Sequence, residues 1–301
     1  MTEPVAELKG ASKAFGKTKA LANASFKIQT GEIVALLGPN GAGKTTALGL
    51  LMGLRKPDTG KALLFGVDPR QPRARLRIGV TPQDTALPDN LRVREIIDFV
   101  RAHYENPLST KETLETFGLT EIAGKNASAL SGGQKRKLTV ALAFAGNPDA
   151  VFLDEPTTGL DPAARRALWE TARAFVARGG TLLLTTHYLE EAEALASRII
   201  LIDHGRIIKE GTVEDVKASV GLRIVRFVAE SAPNLPSVAR QESEVTEIGT
   251  LHTLYCHDAD ETVRALVTSA VAFRNLEVLP VSLEEAIFFA PSDSAEREGD
   301  T

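Results

Sequence analysis

The sequence has 301 residues but only one cysteine, Cys256, and no long hydrophobic run. A single thiol cannot build an internal disulfide framework or a cysteine-based metal cluster, so we expect a protein of the reducing cytosol. A bilayer span needs about 20 mostly apolar residues, whereas the strongest apolar runs cover only 33–37, 151–153, 182–184 and 199–202. The sequence therefore predicts no membrane-spanning segment.

Apolar residues are nonetheless plentiful enough for a folded core. Hydrophobic residues make up 43% of the chain and charged residues 25%, which excludes an intrinsically disordered protein. The N-terminus also differs from a secretory signal, because Glu3 and Pro4 stand where basic and then apolar residues are expected.

Charge is distributed unevenly along the chain. Residues 222–301 contain six arginines, no lysine and fourteen acids, a net charge of −8, whereas residues 1–221 carry +4. This shift predicts a domain boundary near Gly221. The weak positive charge suits an anionic ligand such as a nucleotide, but a nucleic-acid-binding domain would be clearly basic, so no nucleic acid partner is expected.

The pattern of short apolar runs and helical periods over the first 221 residues is typical of an α/β domain. Amphipathic helical segments at about 85–128 interrupt the strands and predict an inserted helical subdomain. Residues 222–290 alternate strand and helix signals and predict a small α+β domain. The polar tail 291–301 is expected to be disordered.

A glycine-rich segment directly after the apolar run 33–37 fits the phosphate-binding pattern G-x-x-x-x-G-K-[ST]. Glycines let backbone N–H groups turn inward around phosphate oxygens, and the following helix adds its positive N-terminal end. The lysine supplies a charge to the β- and γ-phosphates, and the next hydroxyl a ligand for Mg²⁺. The predicted ATP-binding residues of this segment are Gly38, Pro39, Asn40, Gly41, Ala42, Gly43, Lys44, Thr45 and Thr46.

A second apolar strand ends in two carboxylates, in the run Val151-Phe152-Leu153-Asp154-Glu155. At this place Asp154 can hold Mg²⁺ through its water shell, and Glu155 can polarise an attacking water. Together with the phosphate loop, the run indicates a P-loop NTPase. The Asn-Lys-x-Asp guanine reader of GTPases is missing.

Between the two motifs lies Leu130-Ser131-Gly132-Gly133-Gln134, and here the chain resembles the ABC ATPase family, whose signature motif this is. Three further family motifs are present: Gln83 as the Q-loop, Gly159-Leu160-Asp161 as the D-loop and His187 as the switch histidine. The six motifs follow the family's order over about residues 5–215. The resemblance implies a P-loop NTPase core with a mostly parallel sheet, an antiparallel β subdomain and an inserted helical subdomain.

The resemblance also implies how the motifs work together. The signature residues Ser131, Gly132, Gly133 and Gln134, with Asp161, would close over the nucleotide held by a second copy in a head-to-tail, ATP-dependent homodimer. His187 would bind the γ-phosphate and orient Glu155 and the water. Gln83 would contact Mg²⁺ and reach toward a membrane partner.

Family members place an aromatic residue, usually tyrosine, about twenty residues before the phosphate loop to stack on adenine. Phe15 is the candidate here. A phenylalanine keeps the ring face but lacks the hydroxyl.

The sequences of residues 154–162 and 186–193 are similar to those in ATPase subunits of ABC-2-type exporters of the drug-resistance and efflux kind. In that group the transmembrane permease is a separate chain. The resemblance implies that helices around 85–118 of this chain bind the permease, and such binding would place this protein on the inner face of the cell membrane. An importer ATPase is the nearest alternative, and a non-transport soluble ABC ATPase is another. Residues 222–290 could also serve as a sensor or adaptor.

Overall fold

The computed structural model describes residues 3–81, 86–231, 233–247, 249–269 and 271–289. The chain divides into two compact units between Thr212 and Val213. None of the helices within these ranges has the length and apolar character that a bilayer span requires.

The first unit contains nine strands among its described residues, and the α/β fold expected from the sequence is confirmed. The strands are β1 (Ala6–Phe15), β2 (Thr18–Ile28), β3 (Ile33–Leu37), β4 (Thr59–Leu64), β5 (Ile78–Thr81), β6 (Ala150–Asp154), β7 (Thr181–Thr186), β8 (Arg198–Asp203) and β9 (Arg206–Gly211). The helices are α1 (Lys44–Leu51), α2 (Pro72–Arg75), α3 (Val93–Arg101), α4 (Thr110–Thr116), α5 (Gly132–Ala145), α6 (Pro162–Ala177) and α7 (Leu189–Leu195).

The central sheet has the strand order β5-β6-β7-β3-β8-β9, in which only the β8–β9 pair is antiparallel. Strands β3, β6 and β7 are buried over their whole length, as expected for parallel strands covered on both faces. Leu37 pairs with Thr186, and Asp154 pairs with Thr185. The carboxyl ends of the three strands therefore meet at one edge, where open α/β sheets bind ligands.

A smaller antiparallel sheet, β2-β1-β4, forms the predicted β subdomain. The predicted helical insertion contains α3 and α4, and α3 buries Val93, Ile96 and Ile97. Its second helix begins as the sequence indicates, because the Ser109 hydroxyl accepts a hydrogen bond from the Glu112 N–H and the Glu112 carboxylate accepts one from the Ser109 N–H.

The second unit comprises α8 (Val213–Ala218), β10 (Arg223–Ala229), β11 (Val238–Thr246), β12 (Gly249–Cys256), α9 (Ala259–Thr268), β13 (Phe273–Pro280) and α10 (Leu283–Phe289). Its strands form an antiparallel sheet in the order β11-β12-β10-β13. The unit begins before the compositional change near Gly221, because α8 packs against α10. Residues 290–301, which include the expected disordered tail, lie outside the described residues.

Helix α5 crosses the edge strand β5 at very close range. A Cβ atom added at Gly79 would lie 1.6 Å from the carbonyl oxygen of Ala143, so no larger residue fits unless the helix moves. Gly124 makes a suitable comparison, since a Cβ there would meet no atom within 4 Å.

We predict that Gly79→Ala lowers the free energy of unfolding by about 1–3 kcal/mol, the usual cost of overpacking, whereas Gly124→Ala changes it by less than about 0.5 kcal/mol. Urea denaturation followed by circular dichroism measures both values. Equal stabilities of the two variants would show that α5 does not rest on β5 at this distance.

Candidate functional site

The conformation of the phosphate loop depends on two properties of its glycines. They adopt backbone angles that other residues rarely adopt, and they lie in close contact with neighbouring strands. Gly41 and Gly43 have φ angles of +84° and +108°, which side-chain-bearing residues rarely adopt. A Cβ at Gly43 would lie 2.4 Å from the Ala20 carbonyl oxygen, and one at Gly38 would lie 2.1 Å from the Ile202 carbonyl oxygen. The loop is therefore held between β2 and the end of β8.

Lys44 begins α1, and its side chain is directed back over the loop. The residue is only 5% exposed, and Nζ donates hydrogen bonds to the carbonyl oxygens of Gly38 at 2.7 Å and Pro39 at 3.1 Å. Burial lowers the pKa of the ammonium, and the negative charges of Glu155 and Asp154 oppose this shift. A cation is thus already in place at the mouth of the loop.

Asp154 ends β6 and is 2% exposed. The neighbouring strand supplies its partner, because the Thr185 hydroxyl donates a short hydrogen bond to Asp154 Oδ1. The Thr185 oxygen also accepts a hydrogen bond from the Glu155 N–H at 3.1 Å. One hydroxyl therefore aligns both predicted acids.

Glu155 has a φ of +50°, a left-handed conformation that costs a non-glycine residue about 1–3 kcal/mol. Contacts on both sides hold this turn. The Glu155 N–H donates to the Thr185 carbonyl oxygen at 3.1 Å. The Arg136 guanidinium donates to the carbonyl oxygens of Asp154 and Glu155, at 2.5 and 2.6 Å, and of Pro156 at 3.2 Å.

His187 lies beside Glu155, as the predicted roles require. Its Nδ1 atom is 3.3 Å from Glu155 Oε1. The ring rests against the Tyr188 ring, with the two centroids 4.1 Å apart. The described residues thus bring the phosphate loop, Asp154, Glu155 and His187 to one edge of the sheet.

The signature residues form the start of α5. The Ser131 hydroxyl accepts from the Gln134 N–H at 3.3 Å, and the Gln134 side chain accepts from the Ser131 N–H at 3.1 Å, so the two residues cap the helix reciprocally. Gly133 adjoins the D-loop, since a Cβ there would lie 3.4 Å from the Gly159 carbonyl oxygen. Asp161 caps α6 by accepting from the Ala164 N–H at 2.8 Å.

Ser131 and Gly132 are exposed. Within the described part of the chain, no hydrogen bond or ion pair joins the signature residues to the phosphate loop. The phosphate loop and the signature residues, the two segments predicted to bind phosphate, therefore do not contact each other through such bonds.

Of the remaining predicted residues, Phe15 ends β1 and is 41% exposed, and Gln83 lies outside the described residues. Thr45 is exposed beside Lys44 on α1. Its hydroxyl and the Asp154 carboxylate are hard oxygen donors of the kind Mg²⁺ prefers, and Mg²⁺ commonly takes one or two protein ligands together with phosphate oxygens. No group of three or more His, Cys, Asp or Glu side chains suited to a metal ion occurs in the described residues.

Sequence patterns did not identify Arg136 or Thr185. Arg136 stands in the basic run Lys135-Arg136-Lys137, which indicates only a solvated helix face. Its function depends on backbone carbonyls eighteen to twenty positions away, a separation with no local sequence signal. Thr185 lies two residues before His187, and only the strand register shows that it faces Asp154.

The chain is similar to known proteins over most of its length. The family model described as "ABC transporter" matches residues 21–158. The chain is 42% identical over 270 residues to the Nod factor export ATP-binding protein I of Burkholderia thailandensis, covering 87% of this chain and 88% of the relative. It is 38% identical over 294 residues to the protein of the same name from a Rhizobium species, covering 95% and 96%.

Among solved structures, one described as the dimeric structure of a bacterial ABC transporter cassette aligns with a TM-score of 0.63 at 27% identity. The alignment covers 69% of this chain and 98% of that chain. The predicted fold class is thereby confirmed.

A buried acid, Glu191, lies on α7, four positions after His187. It is 0% exposed, and Oε2 accepts from the Thr157 hydroxyl at 3.2 Å. Its other oxygen, Oε1, is buried without a hydrogen-bond partner among the described residues, as is the indole nitrogen of Trp169. Burial raises the pKa of Glu191, while the hydroxyls of Thr186 and Thr157, the nearby indole N–H of Trp169, which is outside strict hydrogen-bond geometry, and the charge of Arg165 oppose the rise.

Because folding raises this pKa, the folded state binds the proton more tightly than the unfolded state, and stability falls as pH rises through the raised value. We predict that Glu191→Gln raises the unfolding midpoint by about 2–4 °C at pH 8 and by less at pH 5. Differential scanning calorimetry measures the midpoints. Glu190→Gln, at the exposed neighbouring position, should change neither value, and a gain for Glu191→Gln that is independent of pH would contradict the titration of Glu191.

Proposed function

The chain belongs to the ABC transporter ATP-binding family, and on this premise we propose that it is the ATPase subunit of an exporter whose membrane-spanning subunit is a separate chain. Like its family, it binds and hydrolyses ATP. The observation that carries the proposal is the strand register, which brings Lys44, Asp154, Glu155 and His187 to one edge of the central sheet.

We assign each residue of this edge one task. Gly38 to Thr46 bind the triphosphate through backbone N–H groups, and Lys44 balances the charge of the β- and γ-phosphates. Glu155 polarises the attacking water, and His187, in contact with Glu155, orients it toward the γ-phosphate.

Thr45, Gln83 and, through water, Asp154 would hold Mg²⁺. When bound, Mg²⁺ neutralises charge that develops on the phosphate oxygens. The Thr185 hydroxyl keeps Asp154 aligned for this role.

The signature residues would act on the nucleotide of a second copy. Ser131 and Gly132 are exposed at the start of a fourteen-residue helix, where unpaired N–H groups attract anions, and the phosphate loop of the same chain already lies elsewhere. A head-to-tail homodimer pairs each loop with the partner's signature and D-loop, including Asp161. One solved relative is described as a dimer, which supports this arrangement.

A surface formed by the helical insertion and the end of α2 is the candidate site for the permease. Phe99 on α3 is 64% exposed and Leu76 is 53% exposed. The Phe99 ring contacts the His103 ring at a centroid distance of 5.0 Å, and Leu76, His103 and Tyr104 line one cavity of about 420 Å³. An apolar helix end of a membrane subunit would cover these side chains and hold the ATPase at the inner face of the membrane.

The names of the relatives support export as the direction of transport, since both are called Nod factor export ATP-binding proteins. In this proposal the separate membrane subunit selects the cargo. The nucleotide site at the edge of the central sheet drives the cycle. The two ATPase copies close on each other when ATP binds and separate after hydrolysis, because bound ATP favours the closed dimer and ADP does not.

The first test concerns the role of Glu155 as the general base. Glu155→Gln is expected to lower the ATP turnover number by about a hundredfold or more while ATP still binds, because the amide keeps the size of the side chain but cannot accept the proton. Phosphate release, measured with the permease in lipid, reports turnover. Glu170→Gln, an exposed acid on α6, should retain the parental rate, and parental turnover in Glu155→Gln would remove Glu155 from this role.

The second test concerns the composite site. Ser131→Arg should abolish the ATP-dependent dimer of the Glu155→Gln protein, because the larger side chain fills the concavity that receives the partner's phosphates. Nucleotide binding by the monomer should persist. Light scattering with and without ATP measures the dimer, and Glu121→Arg, at an exposed position in the helical insertion, is the matched control. Loss of monomer binding in Ser131→Arg would contradict an action on the second copy.

A further inference from the structure

One face of the Phe15 ring is covered by a cation from the end of the phosphate-loop helix. The Arg55 guanidinium carbon lies 4.7 Å from the Phe15 ring centroid, within the range of a cation–π contact. Lys13 Nζ is 5.8 Å from the same centroid. The ring is nevertheless 41% exposed, so part of it remains open to another planar group.

Arg55 is fixed by the way α1 ends. The N–H groups of Leu54 and Arg55 donate to the Gly49 carbonyl oxygen at 3.0 and 3.1 Å, and Gly53 adopts a φ of +71°, which reverses the chain as helix-terminating glycines do. Helix α1 carries Lys44 at its first residue and Arg55 just beyond its end. Lys44 and Arg55 therefore lie at the two ends of one segment, which consists of helix α1 and the turn that follows it.

A second contact holds the hairpin that carries Phe15. Asp58 Oδ1 accepts from Lys13 Nζ at 2.6 Å, and Oδ2 accepts from the Ala14 N–H at 2.8 Å. The Asp58 N–H donates to the Ser12 carbonyl oxygen at 2.8 Å. The segment that follows α1 thus contacts both the backbone beside Phe15, through Asp58, and the ring itself, through Arg55.

We propose that Arg55 is a positioning residue for the nucleotide base. By contacting the Phe15 ring, it fixes the orientation of the exposed part of the ring, against which a purine would stack. The inference rests on the proposed function, since it assumes that the phosphates of ATP bind at Lys44 and that the base lies against Phe15, as the family resemblance implies.

The chemistry of stacking gives the expected preference. Stacking energy follows the area of the planar faces in contact, so a ring held at one orientation should favour the larger purine over a pyrimidine. A ring free to turn would discriminate less. Loss of Arg55 should therefore weaken ATP binding more than UTP binding and leave binding of the phosphates alone unchanged.

The test uses the full-length chain, EDTA to prevent turnover, and calorimetric titration with ATP, UTP and inorganic tripolyphosphate. Arg55→Met keeps an unbranched side chain and removes the cation. We expect the dissociation constant for ATP to rise about twofold to fivefold, the strength of one exposed cation–π contact, and that for tripolyphosphate to stay constant. Lys17→Met removes an exposed cation from the turn of the same hairpin and should alter none of the three constants.

A double-mutant cycle with Phe15→Leu separates positioning from general charge effects. Arg55→Met should have no effect on ATP binding once the ring is gone. Tighter ATP binding in Arg55→Met would mean that Arg55 covers the face the base needs, and an equal weakening for tripolyphosphate would mean that it acts on the phosphates. Either result overturns the proposal. The proposed function fails separately if the unmodified chain binds neither ATP nor tripolyphosphate.

Discussion

The left-handed backbone of Glu155 is the constraint on which the candidate site depends. A glutamate with a φ of +50° is retained only where neighbours hold it, and here they come from two different elements. Thr185 on β7 accepts from and aligns the turn, and Arg136 on α5 binds three successive carbonyl oxygens. These hydrogen bonds restrict the backbone of Glu155 and so limit the directions in which its carboxylate can extend.

Arg136 also links the two halves of the site within one chain. It lies one turn into the helix whose first residues are the signature motif, and its guanidinium rests on the turn that carries Glu155. In the proposed dimer, a displacement of the signature when the partner's nucleotide binds or leaves would therefore reach the carboxylate through helix α5 and charge-assisted hydrogen bonds. This offers a physical route by which an event at one nucleotide could change the geometry at the other.

The sequence predicted the contiguous parts of the molecule well and the non-local contacts poorly. The phosphate loop, the strand ending in Asp154 and the caps at Ser109 and Asp161 obey short-range rules of backbone geometry and hydrogen bonding, so their motifs identify them. Arg136 and Thr185 act on atoms that only the folded sheet brings near. The boundary between the two units lies after Thr212 and not near Gly221, as composition predicted, for a similar reason. Helix α8 belongs to the second unit because it packs against α10, and composition carries no information about such a contact.

The placement of Lys44 explains how opposite charges coexist at this edge without cancelling. In the described residues its ammonium bonds to the carbonyl oxygens of Gly38 and Pro39 and makes no ion pair with Asp154 or Glu155. A direct pair with either acid would neutralise a metal ligand or a base, and breaking it on nucleotide binding would cost more than releasing neutral carbonyls. The loop carbonyls thus hold the cation ready for phosphate, and neither carboxylate is committed to an ion pair with it.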